Sequence, residues 1–413
     1  MQPTQQQIDF CMECGICTGS CPVSRITAEF SPRQMLKRAM VEPQADPGLH
    51  RQFWSCLTCG RCSERCPADI DFPEFNRQYR IKARNRGVLP LESHHGIFQS
   101  ISDLQTRPIR QQRTGWADQS GKFTTDRGEY FYFVGCLPFF DVTFRYLDIS
   151  STETARNVLK LLNKIGITPV ISNDERCCGH DALWNGDEAL FVKLARLNIE
   201  IISASGAKIV LFSCPEGYFT FKNHYPAYFG ELPFDVMHVT ELLAKKLPGM
   251  GNAFVSNDLT SQDLVSEDSM IMDISSISKE LDNMDGPVFS GESCIVTYHD
   301  PCRLGRGAGI YDAPRQLLQN IPGTQLVEME RNRENSMCCG TSAWIECSGC
   351  SKQMQIERLY EAARTGASII ITACPKCRIH LACALKSSEL AIRVVDIFSY
   401  LGSRSNLIPK SEH

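Results

Sequence analysis

The sequence contains no run of eighteen consecutive apolar residues, which excludes an ordinary membrane-crossing helix. Its first residues, "MQPTQQQIDF", lack the basic-then-apolar pattern of an export signal. Charge of one sign is missing too: 43 Lys and Arg face 47 Asp and Glu, for a net charge of −4, so nothing in the total implies nucleic acid or an anionic membrane surface. A G-x-G-x-x-G fingerprint is absent, and the glycines at 305, 307 and 309 have the wrong spacing for a phosphate loop, so neither flavin nor NAD is expected on this chain. These absences describe a soluble, cytoplasmic protein, peripheral at the inner face of a membrane if a partner holds it there.

Cysteine is what the chain has in excess, 21 in 413 residues. A small secreted chain would use such a count for disulfides, but this one is large and has no export signal. Cysteines scattered as small core residues are the blander reading. They do not account for thiols that fall in tight groups, which point to metal or cluster binding. The length itself suggests two to three domains.

Two runs near the N-terminus, "CMECGICTGSCP" and "CLTCGRCSERCP", both spell C-x2-C-x2-C-x3-C-P. In this pattern three closely spaced thiolates wrap one cube, and the fourth, carried off by the turn at proline, reaches the other. The spacing therefore assigns Cys11, Cys14, Cys17 and Cys66 to one [4Fe-4S] cluster, and Cys21, Cys56, Cys59 and Cys62 to a second. Zinc is the competing occupant, disfavoured by two copies of a three-plus-one pattern. Between the runs, "SPRQMLKRAM" predicts a helix begun by Ser31 and Pro32, with Met35, Leu36, Ala39 and Met40 as its apolar face.

From Ala83 the pattern fades into a linker, residues 84–128, with one short helix expected around Gly96 to Leu104. Arg107, Arg110 and Arg113 read there as a solvated face, with contact to a partner or anion as the alternative.

The remainder is one unit written twice. Cys136, Cys177-Cys178-Gly179 and Cys214-Pro215 recur as Cys302, Cys338-Cys339-Gly340 and Cys374-Pro375, at offsets of 166, 161 and 160 residues. In each copy an apolar run delivers a cysteine, "YFYFVGC" and "CIVTYHDPC". A helical stretch follows, then a second strand, "ITPVIS" or "TQLVEME", then the double cysteine and a long helix. A third strand, "AKIVLFSCP" or "ASIIITACP", ends the unit. Alternating strand and helix predicts a parallel, helix-covered sheet in each half. Loops beyond strand ends converge in such sheets, so Cys302, Cys338, Cys339, Cys374 and Cys377 can meet at one point. Five thiolates exceed what one cube needs and suggest an expanded cluster.

"HDPCRLGRGAGIYDAPR", "TQLVEMERNRENSMCCG" and "ACPKC" make the chain similar to the CCG-domain (cysteine-rich domain) iron–sulfur family. It resembles the fused form of the heterodisulfide reductase catalytic subunit, with a ferredoxin-like portion ahead of two CCG domains. The resemblance covers nearly everything except the linker and an acidic insertion. The expected fold class is α/β: an N-terminal α-helical two-[4Fe-4S] ferredoxin-like domain, residues 1–83, then two duplicated α/β CCG domains with parallel sheets, residues 129–249 and 293–413. The insertion, residues 250–292, lies between them.

The resemblance implies a non-cubane [4Fe-4S] cluster on Cys302, Cys338, Cys339, Cys374 and Cys377, with those residues catalytic if the cluster meets substrate. In the family, paired clusters are thought to split a disulfide between them. The first copy supplies Cys136, Cys177, Cys178 and Cys214 for one further iron–sulfur cluster, but has Gly217 where the second has Cys377. Three outcomes stay open there: an ordinary cube, a site with one open iron, or no cluster. Arg303 stands where relatives commonly carry histidine, either near an anionic substrate or cluster or in a surface salt bridge.

Losing one ligand shifts weight toward an electron-transfer subunit of a heterodisulfide-reductase-like anaerobic oxidoreductase complex. It would relay electrons between a flavoprotein partner and the second CCG site through the two cubes. The alternatives are a catalytic subunit reducing a disulfide substrate, and the iron–sulfur subunit of a glycolate-, lactate- or glycerol-3-phosphate-type dehydrogenase linked to a quinone membrane subunit. A cysteine scaffold for metal storage is the reading from outside redox chemistry.

Several residues remain. Cys347 and Cys350 form a weak zinc or redox candidate, while Cys294 and Cys383 read as packed thiols in a strand and a helix. His180 and His299 stand near cluster cysteines as donors or as satisfied core residues, and His94-His95 carry no assignment. The insertion contains one lysine, Lys279, and reads as a solvated loop, with Met270, Ile271 and Met272 as a docking alternative.

Overall fold

The computed structural model describes residues 10–41, 47–117, 123–247 and 294–404; the insertion with Met270, Ile271 and Met272 lies outside the described residues. Two parallel sheets form the frame. The first contains β1 (Tyr130–Phe133), β2 (Ile209–Phe212) and β3 (Asp235–His238) in the order β1-β2-β3. The second contains β4 (Cys294–His299), β5 (Thr324–Val327), β6 (Ile369–Thr372) and β7 (Arg393–Asp396) in the order β5-β4-β6-β7. The central strands form from apolar runs because they are covered on both faces: β6, "IIIT", is buried at all four positions, while β3 and β5 at the margins are not.

Two strand expectations need correcting. "ITPVIS" forms no full strand; only Val170 joins the first sheet, through isolated parallel bridges to Phe131 and Thr125. Pro169 immediately before it cannot donate to a ladder, and Val170 alone stands where β5 stands in the other half. The last strand of each sheet, β3 and β7, was not anticipated, because "DVMH" and "RVVD" mix charged residues with apolar ones and run straight into a helix.

Helices Ser151–Lys164 and Asp312–Gln319 follow the first strand of each half, and helices Val239–Lys246 and Ile397–Ser403 end each half. The halves exchange these elements: Ser151–Lys164 packs on Ile397–Ser403, and Val239–Lys246 on Asp312–Gln319. Gly402 allows the first crossing, since a Cβ there would overlap the Asn157 side chain. Both sheets consequently share one continuous apolar core, from Phe131 and Phe212 to Val296 and Ile371.

The N-terminal portion is helical, as the sequence predicts. Ser31 Oγ accepts from Gln34 N at 3.3 Å at the start of helix Pro32–Val41, which buries Met35 and Leu36. The two cysteine loops repeat one conformation, with Gly15 and Gly60 at φ 79° and 77° opening the short helices Ile16–Ser20 and Arg61–Glu64. Helix Phe72–Arg84 ties this portion to the first half through fully buried Arg80, which donates to the carbonyls of Phe53, Trp54, Cys56 and Trp184. Its Arg84 pairs with Asp187 at 2.7 Å.

Residues 84–117 are threaded between the other parts. Helix Ile97–Leu104 carries Phe98, which stacks on Trp344 of the second half at 4.2 Å and touches Phe140 and Phe144 of the first. Arg107 is exposed and pairs with Asp103, but Arg113 departs from the solvated face expected for it. It is buried against Glu175, Gln105 and the Gly135 carbonyl, while the Glu175 carboxylate also accepts from Val134 N and Gly135 N. A buried carboxylate needs such a cation. Trp344→Ala empties the stack that joins all three parts, and should lower unfolding free energy by about 3–5 kcal/mol. Chemical denaturation monitored by circular dichroism checks this; an unchanged midpoint contradicts it.

Candidate cluster-binding sites

Every one of the 21 cysteines is a free thiol. The loop geometry of the N-terminal portion sorts eight of them into two pockets. Cys11, Cys14, Cys17 and Cys66 line one, which Cys62 also borders. Cys21, Cys56, Cys59 and Cys62 line the other. The fourth cysteine of each run thus lies with the first three of the other run. Exposure separates the two: Cys14 faces solvent, whereas Cys21, Cys56 and Cys62 are buried. Burial pushes the Cys56 thiol up to about 11 and that of Cys21 up to about 12.

In the second half, Cys302 follows β4, Cys374 and Cys377 follow β6, and Cys338-Cys339 lead toward helix Gly349–Ala363. Their thiols form a hydrogen-bonded series, Cys302 to Cys338 to Cys339 to Cys377 to Cys374. The hydrogen bonds hold Cys302 and Cys339 below the ordinary thiol range and push Cys338 and Cys377 above it. Cys374 caps helix Pro375–Leu385 by accepting from Cys377 N at 3.4 Å.

This series does not stop within its own half. Cys338 is also hydrogen-bonded to Cys59 of the N-terminal portion, whose thiol is drawn down to about 5 by that bond and by Arg306 and Arg61. The inner N-terminal set and the five-cysteine set therefore touch, and Cys338, Cys339, Cys374 and Cys377 share a buried cluster with Cys21, Cys56 and Cys62.

The first half is less complete. Cys136, Cys177 and Cys178 are hydrogen-bonded to one another in series, with Cys177 also bonded to Ser102. Cys214 lies near Cys374 of the other half, with Glu216 and Lys376 as its charged neighbours. At Gly217, a Cβ would lie 3.1 Å from the Phe212 ring and 4.0 Å from Cys178 Cβ. Phe212 is buried at the register position that Thr372 fills in the second half. An aromatic ring thus packs where the fifth ligand of the other copy stands.

Between the two half-sites lies a group of charges that sequence reading missed. Lys376 is bonded to Asp181 and, at 2.6 Å, to Glu216, while His180 Nε2 lies 3.5 Å from Glu216. Asp181 is held up to about 7, chiefly by burial. The signal was present: the two Cys-Pro loops carry lysine and glutamate at the same place, "CPKC" and "CPEG", a complementary pair that joins only when the halves face each other.

Arg303 is not in a surface salt bridge. It is buried, stacks on Trp184 at 4.0 Å, and donates to Thr58 Oγ1 at 2.8 Å, while Thr58 N donates to Cys56 Sγ at 3.3 Å. His180 bonds Thr220 at 2.9 Å and His299 accepts from Arg358 at 3.1 Å, so each has a protein partner. His380 was overlooked; it meets Cys339 Sγ at 3.5 Å and Thr341. Cys347 and Cys350 face different neighbours, Cys383 with Lys352 for the first and Thr27 for the second. Cys383 lies on its helix with Lys352 Nζ at 2.9 Å, and Cys294 is in β4.

Thiols gathered without disulfides, beside buried donors such as Arg61 Nε and Arg306 Nη2 that lack acceptors among the described residues, fit an anionic sulfur-bridged group. Comparison with known proteins agrees. The 4Fe-4S dicluster domain matches residues 7–70, and the cysteine-rich domain, CCG, matches twice, at residues 130–222 and 296–382. The chain thus carries two CCG cysteine-rich domains behind a 4Fe-4S dicluster domain. This CCG protein is 27% identical to a subunit of the dihydromethanophenazine:CoB–CoM heterodisulfide reductase of Methanosarcina acetivorans, over 95% of this chain and 92% of that one. It is 26% identical to a subunit of the fumarate reductase (CoM/CoB) of Methanothermobacter marburgensis, over 95% of this chain and 71% of that one. The EtfAB:quinone oxidoreductase of Syntrophomonas wolfei is 29% identical over 70% of this chain and 37% of its own length. The CCG protein is an iron–sulfur oxidoreductase subunit, and no helix among its described residues is long and apolar enough to cross a membrane.

Lys376→Met leaves Asp181 and Glu216 buried without their cation. Stability should fall by about 3–5 kcal/mol, whereas Lys376→Met/Glu216→Gln should recover part of it. Denaturant midpoints of the two variants check this, and equal losses contradict it.

Proposed function

We propose that the chain is an electron-transfer subunit of a heterodisulfide-reductase-like complex, carrying electrons between a flavoprotein partner and its second CCG site. The observation that carries this reading is the packing of Cys59 with Cys338 in one buried cluster, where Arg306 joins the Cys59 and Ser336 carbonyls. In the proposal, Cys11, Cys14, Cys17 and Cys66 hold an outer [4Fe-4S] cluster near the surface. Cys21, Cys56, Cys59 and Cys62 hold an inner one, and Cys302, Cys338, Cys339, Cys374 and Cys377 hold the non-cubane cluster beside it. These clusters supply the one-electron chemistry that protein side chains lack.

The remaining residues insulate and fix this path. Phe53 stacks on Tyr79 at 3.7 Å beside the inner set, and Arg80 holds the Cys56 carbonyl at 2.6 Å. Arg303 and Thr58 pin the loop that carries Cys56. Residues 1–83, 129–249 and 293–413 serve as the ferredoxin-like and two CCG domains of this scheme. The chain works in the cytoplasm, and a quinone-linked membrane subunit is a suitable terminal partner.

Symmetric cleavage of a disulfide across the two halves is the second reading. Two observations weigh against it: the Phe212 ring packed at Gly217, and the Lys376 ion pairs with Asp181 and Glu216 between the half-sites. The first half is accordingly assigned the supporting role, with Cys136, Cys177, Cys178 and Cys214 holding at most a four-thiolate cluster.

Anaerobically purified chain should contain at least the about eight irons of two cubes, with more from the five-cysteine site. After chemical reduction it should not turn over added disulfides. Sustained disulfide reduction without a flavoprotein, abolished by Cys377→Ala, would establish the catalytic alternative instead.

A further inference from the structure

Arg306 stands at the contact between the inner N-terminal set and the five-cysteine set. Its Nε donates to the Cys59 carbonyl at 2.8 Å, and its Nη1 to the carbonyls of Ser336 and Glu334 at 2.8 and 3.0 Å. Three carbonyl acceptors from two segments fix the plane of the guanidinium. The remaining terminal nitrogen, Nη2, is buried and has no hydrogen-bond partner among the described residues. A buried donor without an acceptor is costly, and this one cannot rotate away without breaking three bonds. The side chains around it include the thiols of Cys59, Cys302 and Cys338 and the Tyr311 phenol.

Neighbouring cations repeat the pattern around the inner sets. Arg61 is buried, places Nη1 2.8 Å from Met337 Sδ, and has Nε without a partner among the described residues. Arg303 and Arg80 are buried on the Cys56 side. At the outer set the cations are spent on the surface: Arg33 donates to the Glu13 carbonyl at 3.2 Å and Lys37 pairs with the Glu13 carboxylate at 3.2 Å. Positive charge and N–H donors near cluster sulfurs favour the electron-rich state, because reduction adds one negative charge that they stabilise.

We propose that Arg306 sets the reduction potential of the inner sites: its Nη2 is the donor for a cluster sulfur at the Cys59–Cys338 contact, and its charge makes the inner sites easier to reduce than the outer one. One electron lost from the outer site is then gained by the inner, and the uneven distribution of arginine gives the path its inward direction. Arg306 is a positioning residue that acts through the clusters. The inference rests on the cluster assignments proposed above.

EPR-monitored redox titration of the full chain, purified anaerobically and with iron and sulfide measured first, tests it. Cys14→Ser identifies the signal of the outer site. In Arg306→Met with undiminished iron, the midpoint of at least one inner signal should move to lower potential while the outer one stays. Arg306→Lys, which keeps the charge without the planar fork, should lie between. Unmoved midpoints in loaded Arg306→Met overturn the inference, as does an equal shift of all signals. If both variants lose inner-site iron and keep the outer, Arg306 is a structural strut and the inference also fails. A wild-type chain without iron would instead overturn the cluster assignments themselves.

Discussion

Thiolates that bind iron are anions, and this chain withdraws most of its clustered cysteines from water. The need to hold that charge in a low-dielectric interior governs much of the rest. Burial is the largest cause that pushes the Cys21 and Cys56 thiols up, to about 12 and about 11 even with Arg80 and Arg303 beside Cys56. Two things oppose it. Hydrogen bonds between thiols spread the charge along the series, and buried arginines stand beside the inner loops, each anchored on backbone carbonyls or a hydroxyl. A metal centre completes this balance by replacing protons with iron.

The duplication supplies the geometry, and its broken symmetry supplies the division of labour. Each half delivers cysteines from the ends of equivalent strands, and the exchange of terminal helices presses the two half-sites together. Once they face each other, equivalent positions can take opposite roles. Lysine and glutamate at the third place of the two Cys-Pro loops become an ion pair, and phenylalanine replaces threonine where a ligand has become glycine. One half contacts the N-terminal cysteines through Cys338. The other contacts that portion through Arg80 and Arg84, which meet the Trp184 carbonyl and Asp187.

Local spacing made much of this legible. The three-plus-one cysteine runs, the repeat, the α/β class and the first helix of each half could be read because each depends on neighbours a few residues apart. What escaped depended on distant ones. The strand at Val170 shrinks to isolated bridges beside Pro169, and β3 and β7 mix charged residues into four positions and merge with the helices that follow. Arg113 looked solvated within an arginine-rich loop, yet Glu175, 62 positions on, takes it into the core. Likewise Cys59 and Cys338, or Arg303 and Thr58, meet only because the N-terminal portion docks on the second half. Chain spacing carries no trace of such contacts.

The central claim is that the Cys59–Cys338 contact makes one continuous path from the inner N-terminal site into the second CCG site. Magnetic interaction between the two centres tests it most directly. In fully reduced, anaerobically prepared chain, EPR signals of the inner cube and the CCG site should broaden or split through spin–spin coupling. The splitting should vanish when Cys338→Ser removes the second centre. Sharp, independent signals from two loaded centres would contradict the account.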